Sequence, residues 1–122
     1  MTGTFDDESL PSAPGATGRL RAVGIIARVW LADGSINTLP LDAQWFLWRL
    51  HVVAVGEGTW PYLPAPLPIL AKLLQMNPRP VERLRNKLMP AFVQRVQVDD
   101  QPQLRLRELD ALIRWKPVSE LG

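Results

Sequence analysis

Apolar residues recur at helical spacing through "LDAQWFLWRLHVVAV", Leu41 to Val55, where Ala43, Phe46, Leu47, Leu50 and Ala54 share one face. Trp45, Trp48, Val52 and Val55 form a second apolar face and leave Gln44 and Arg49 as the main polar residues. A helix apolar nearly all round belongs at the centre of a fold or between subunits. Trp45, Trp48 and Val52 are therefore expected to offer a partner interface, to a second copy of the chain or to another protein. His51 has no potential partner nearby in sequence and is expected to be a half-buried structural residue.

The pattern breaks at "GEGTWPYLPAP", with Gly56, Gly58 and three prolines. It resumes in "PLPILAKLLQM", which predicts a second helix starting between Pro66 and Pro68 and burying Leu70, Leu73 and Leu74. Asn77-Pro78 reads as a turn, because a residue before proline avoids helical geometry. A third helix is predicted from Pro80 to Met89, with Pro90 closing it. Val81, Leu84 and Leu88 face inward; Arg79, Glu82, Arg83, Asn86 and Lys87 share the opposite face. Next come "FVQRVQV" and "QLRLREL", joined by "DDQP". Val96 and Val98 alternate with Arg95 and Gln97, and Leu104 and Leu106 with Arg105 and Arg107, as in a β-hairpin.

The ends are less patterned. "RLRAVGIIARVWLADGSINTLP" carries β-branched residues and a turn signal at Asp33-Gly34, and predicts a short strand or extended segment. "DALIRWKPVSELG" predicts a last short helix that covers the core with Leu112, Ile113 and Trp115. In order, the elements make an α+β fold of the winged helix-turn-helix kind over residues 19–116: three main helices plus a hairpin wing. Residues 1–18, "MTGTFDDESLPSAPGATG", are expected to be a disordered arm, and residues 117–122 a C-terminal tail.

Composition narrows the function. At 122 residues, 47% apolar and 21% charged, the chain is an ordinary globular domain. No apolar run approaches the roughly 18–20 residues of a membrane span, and the acidic start lacks a signal peptide's pattern. A cytoplasmic location with no membrane partner is expected. The chain has no cysteine and one histidine, which excludes disulfides, thiolate chemistry and a Cys- or His-based metal cluster. No metal, cofactor or small-molecule substrate is expected, and no enzymatic activity. Asp6, Asp7 and Glu8 fall in the arm, and Asp99-Asp100 reads as a solvated turn. Gly56-Glu57-Gly58 lacks the Lys-Ser/Thr that follows a phosphate-binding loop.

The net charge of +2 says little, but its distribution is informative, because residues 79–95 hold five cations and one anion. A basic face on a nearly neutral protein suggests an anionic partner, here double-stranded DNA. Arg79, Arg83 and Lys87 suit phosphates, arginine or Asn86 can address base edges, and Arg95, Arg105 and Arg107 give the wing its own contacts.

From Val29 to Leu109 the succession "WLADGSINTLPLDAQWFLWRL", "VGEGTW" and "LPILAKLLQMNPRPVERLRNKLMPAFVQ" resembles a domain of phage and prophage replication-associated proteins. Such domains are similar to the N-terminal winged-helix domains of phage replisome organisers, which bind origin DNA. The resemblance implies DNA binding in replication initiation, or in transcriptional control. Prolines at 61, 64, 66 and 68 depart from the pattern, and the chain ends where a helicase-loading segment would begin. That favours a stand-alone DNA-binding or adaptor role. The alternative is a winged-helix interaction domain that uses the apolar helix 41–55.

Overall fold

A computed structural model describes residues 22–115, so the expected arm at 1–18 and tail at 117–122 lie outside the described residues. The fold is α+β. Strand β1 (Ala22–Ile25) is followed by two short helices, α1 (Ala27–Ala32) and α2 (Gly34–Asn37). Only β1 keeps the extended form expected of the whole segment. Asp33-Gly34 does not turn a strand; it starts a helix. The Asp33 carboxylate accepts from the Ser35 and Ile36 amides at 2.9 and 3.2 Å, satisfying donors that an isolated helix start leaves unpaired. The Ser35 hydroxyl also donates to it and holds its carboxyl below the usual range. Asn37 closes the pair by donating to the carbonyls of Trp30, Leu31 and Asp33. Trp30 and Ile36 bury their side chains and pin the segment to the core.

Helix α3 (Leu41–Glu57) is the expected central helix, and Ala43, Phe46, Leu47, Leu50 and Ala54 are all buried. It runs two residues past Val55 and stops at Gly58, whose left-handed φ of 77° favours glycine. A short strand β2 (Tyr62–Pro64) follows, then α4 (Leu67–Leu74). Gln75, Met76 and Asn77 link α4 to α5 (Pro78–Leu88), with Gln75 left-handed at φ 57° and Met76 N–H donating to Ala71 O at 3.1 Å. Helix α5 begins two residues earlier than expected and ends one earlier. Pro78 and Pro80 both fall in its first turn, where no N–H is needed for the helical ladder.

The hairpin is β3 (Val93–Val98) and β4 (Gln101–Leu106), joined by Asp99 and Asp100, both with positive φ, as a two-residue primed turn requires. The joint is two residues, not four: Gln101 and Pro102 already belong to β4. Strand β2 pairs with the other edge of β4, giving the order β2-β4-β3. Leu63, Leu104, Leu106 and Val93 turn one sheet face into the core shared with α3, α4 and α5. The last element, β5 (Leu112–Trp115), is a strand and not the short helix expected there. It pairs antiparallel with β1, so its backbone groups find partners that a four-residue helix would leave unpaired. Leu112 packs on the core, while Ile113 and Trp115 are exposed. The Trp115 ring lies over Gly24, where an added Cβ would sit 2.9 Å from it. Among the described residues no helix is long and apolar enough to cross a membrane.

Candidate nucleic-acid interface

Helix α5 divides along its length as its spacing dictates. Val81, Leu84 and Leu88 are buried, and Arg79, Glu82, Arg83, Asn86 and Lys87 are exposed. These five do not remain equivalent. Arg83 Nη1 donates to Asp42 Oδ2 at 3.2 Å, the one ion pair among the described residues, with both side chains half-exposed. This bond, helped by the nearby charge of Lys87, holds the Asp42 carboxyl below its usual range. Arg83 thus ties α5 to the first turn of α3. A half-exposed pair of this kind contributes little to stability, so Arg83 can exchange Asp42 for a stronger anion at small cost. Arg79 and Lys87 have no hydrogen-bond or ion-pair partner among the described residues. Asn86 Oδ1 accepts from Arg85 Nε and Nη2 at 3.3 and 3.2 Å, which leaves its amide N–H groups as the part available to a ligand.

The wing cations do not form one set. Antiparallel register places Arg95 opposite Leu104, on the core-facing side of the sheet, at its open β3 edge. Arg105 lies opposite Gln94 and Tyr62, on the other side. Arg105 and Arg107 line a shallow depression with Pro90, Phe92 and Gln94, and the Arg107 guanidinium stacks 4.8 Å from the Phe92 ring centre. Arg95 instead faces the groove between the hairpin and α5. Of the wing residues expected to contact DNA, only Arg95 is brought to the α5 side.

That groove, of about 660 Å³, contains a residue absent from the expected site. Arg85 is only 5% exposed, although it is charged and the next two residues, Asn86 and Lys87, are exposed. Its position four residues after Val81 and three before Leu88 puts it in the apolar stripe of α5, and this spacing is the sequence signal that could have found it. Burial lowers its pKa first, and the charge of Arg95 adds to that, with Glu82 acting in the opposite direction.

Helix α3 presents the residues expected to meet a partner. Leu41 is 81% exposed, Trp45 50% and Val52 38%, while Trp48 packs partly against the core. Arg49 lies 5.2 Å from the Trp45 ring centre and donates through Nε to Leu74 O at 2.9 Å.

His51 is fully buried, not half-buried as expected. Trp60 Nε1 donates to His51 Nδ1 at 3.0 Å, which requires that nitrogen to be unprotonated, and Arg114 stacks 3.9 Å from the Trp60 ring centre. Burial, followed by the charge of Arg114, pushes the His51 pKa down to about 4. A folded pKa below the unfolded value means that the unfolded chain binds the proton more readily. The stabilising contribution is full above about pH 6.5 and is lost as pH falls towards 4. Urea unfolding should show a loss of about 2–3 kcal/mol between pH 7 and pH 4. His51→Gln, which does not titrate, should flatten that profile; an unchanged slope would remove His51 as its cause.

No protein-family model, curated protein or solved structure matches the chain. The functional reading therefore stands on the geometry of the chain itself.

Proposed function

We propose that the chain is a non-enzymatic winged-helix protein that binds double-stranded DNA in the cytoplasm, in phage-type replication initiation or transcriptional control. The observation that carries this reading is the helix pair α4–α5 followed by the ribbon β3–β4, with a cationic exposed face on the second helix of the pair. The order α3-β2-α4-α5-β3-β4 with sheet order β2-β4-β3 supports a winged helix-turn-helix, in which α5 enters the major groove and the hairpin flanks it. Arg79, Arg83 and Lys87 then meet phosphates, and the Asn86 amide donates to a base edge. Arg95 is the wing's contribution on this side. Arg105 and Arg107 act only on DNA that wraps beyond the wing.

The test is an anisotropy titration with a labelled duplex. Three to four phosphate contacts predict a log-log salt slope of about −3 to −4, hence roughly a hundredfold loss of affinity between 50 and 200 mM salt. Salt-independent affinity, or none, rejects the reading.

A second reading is favoured by the stripe Leu41, Trp45 and Val52, whose exposure suits a homodimer or another protein partner. Light scattering separates the two, because assembly through α3 survives salt that releases DNA.

A further inference from the structure

The groove between α5 and the hairpin holds a buried arginine with no ion-pair partner among the described residues. Arg85 lines it from α5 and Arg95 from β3, and no carboxylate among the described residues lies within ion-pair distance of either. The Arg85 guanidinium is anchored on one side by Asn86 Oδ1 through Nε and Nη2, which leaves Nη1 without an acceptor among the described residues. The groove is also lined by Pro66 and Leu67, the cap and first residue of the eight-residue helix α4. The Leu67 N–H belongs to the first turn, where the helix supplies no acceptor, and the helix dipole adds positive potential there. Pro68 has no N–H to compete for a ligand.

We propose that this groove seats one phosphodiester monoanion, bound by Arg85, Arg95 and the Leu67 amide; the assignment of that phosphodiester to a nucleic-acid backbone rests on the DNA-binding reading. The local charge selects the class. Two guanidiniums against the single carboxylate of Glu82 leave one positive charge, which matches a phosphodiester and not a polyanionic triphosphate. Guanidinium also fits paired phosphate oxygens better than an ammonium does. Arg85 has no ion-pair partner among the described residues, so an anion entering the groove adds a charge-assisted contact that the free protein lacks. Pro66, Pro102 and Ala65 give the groove an apolar wall of a kind that accommodates a sugar. The same seat clamps the hairpin against α5, because one ligand engages a residue from each.

The experiment follows the Arg85 Nε–H resonance in the full chain during titration with the dinucleotide d(TpT), inorganic phosphate or acetate at matched ionic strength. Duplex affinity of the wild type, Arg95→Gln and Arg85→Lys is measured in parallel. The seat predicts a saturable shift with d(TpT) and little with acetate. It also predicts a duplex affinity about tenfold weaker in Arg95→Gln, with the salt slope reduced by about one. Arg85→Lys, if folded by circular dichroism, should lose the d(TpT)-induced shift of the Leu67 amide; if it does not fold, the exposed Arg95 variant carries the test. Wild-type duplex binding with an unmoved Arg85 and an unaffected Arg95→Gln overturns the seat and leaves the DNA-binding reading intact. A saturable d(TpT) response without duplex binding supports the seat and rejects the DNA-binding reading. An acetate or inorganic phosphate response as strong as that to d(TpT) overturns the phosphodiester class.

Discussion

Phe46→Ala is expected to cost the fold about 3–5 kcal/mol, the largest single-residue stability effect anticipated here. Phe46 is fully buried on α3, in a core drawn from all five helices and the three-stranded sheet, so its removal leaves a cavity that no one element can collapse to fill. In a domain of this size such a loss lowers the thermal midpoint by roughly 15–30 °C. The neighbouring change Trp45→Ala removes a larger side chain, yet one that is half-exposed. It should cost no more than about 1 kcal/mol. Thermal and urea unfolding of the two variants therefore measure the two faces of one helix. Equal losses would mean that the inward face of α3 is wrongly assigned.

Arg79→Glu with Lys87→Glu should leave the fold within about 0.5 kcal/mol of the wild type, as exposed substitutions usually do. Duplex affinity should fall by about a hundredfold to a thousandfold, because each change removes a phosphate contact and adds a repulsive charge. These two positions are chosen over Arg83 because a glutamate at 83 would face Asp42 and disturb the α3–α5 contact itself. Unfolding curves separate the causes: a binding defect with an unaltered midpoint locates the effect in the face of α5. Full affinity in the folded double variant would show that the exposed cations of this helix are only solvated.

The long-period elements were legible in the sequence because each has one pattern and enough turns to display it. In α3, five inward residues at helical spacing are all buried, and in α5 the spacing separated Val81, Leu84 and Leu88 from the solvated side. The same rule, applied to every residue, would have placed Arg85 inside, but its charge suggested otherwise. Strand β2 was not legible. It has three residues, ends in Pro64, and exists because β4 pairs with it from about forty residues away; proline is tolerated there because β2 is an edge strand. Helices α1 and α2 are too short for a period to show, and the Asp33 cap resembles a turn until Ser35 and Ile36 are seen to donate to it. Strand β5 depends likewise on a distant partner, β1.

For the proposed site, alternation revealed a hairpin but not how its two strands align. The turn at Asp99 and Asp100 sets Val98 opposite Gln101, and every later pairing follows from that register. It sends Arg95 to the α5 side and Arg105 to the other, a separation that strand-by-strand alternation does not contain. The partner residues of α3 were separated in a similar way: Trp45 is exposed where Trp48 packs on the core, since the helix turns 100° per residue and only part of its second face clears its neighbours.

The most direct measurement is an amide chemical-shift map of the isotope-labelled full chain with and without a short duplex. The proposed interface predicts perturbations concentrated at Arg79, Arg83, Asn86 and Lys87, extending to Arg95 across the groove, and fading as salt rises. Perturbations confined to Leu41, Trp45 and Val52 on α3, or none at any residue, would contradict it.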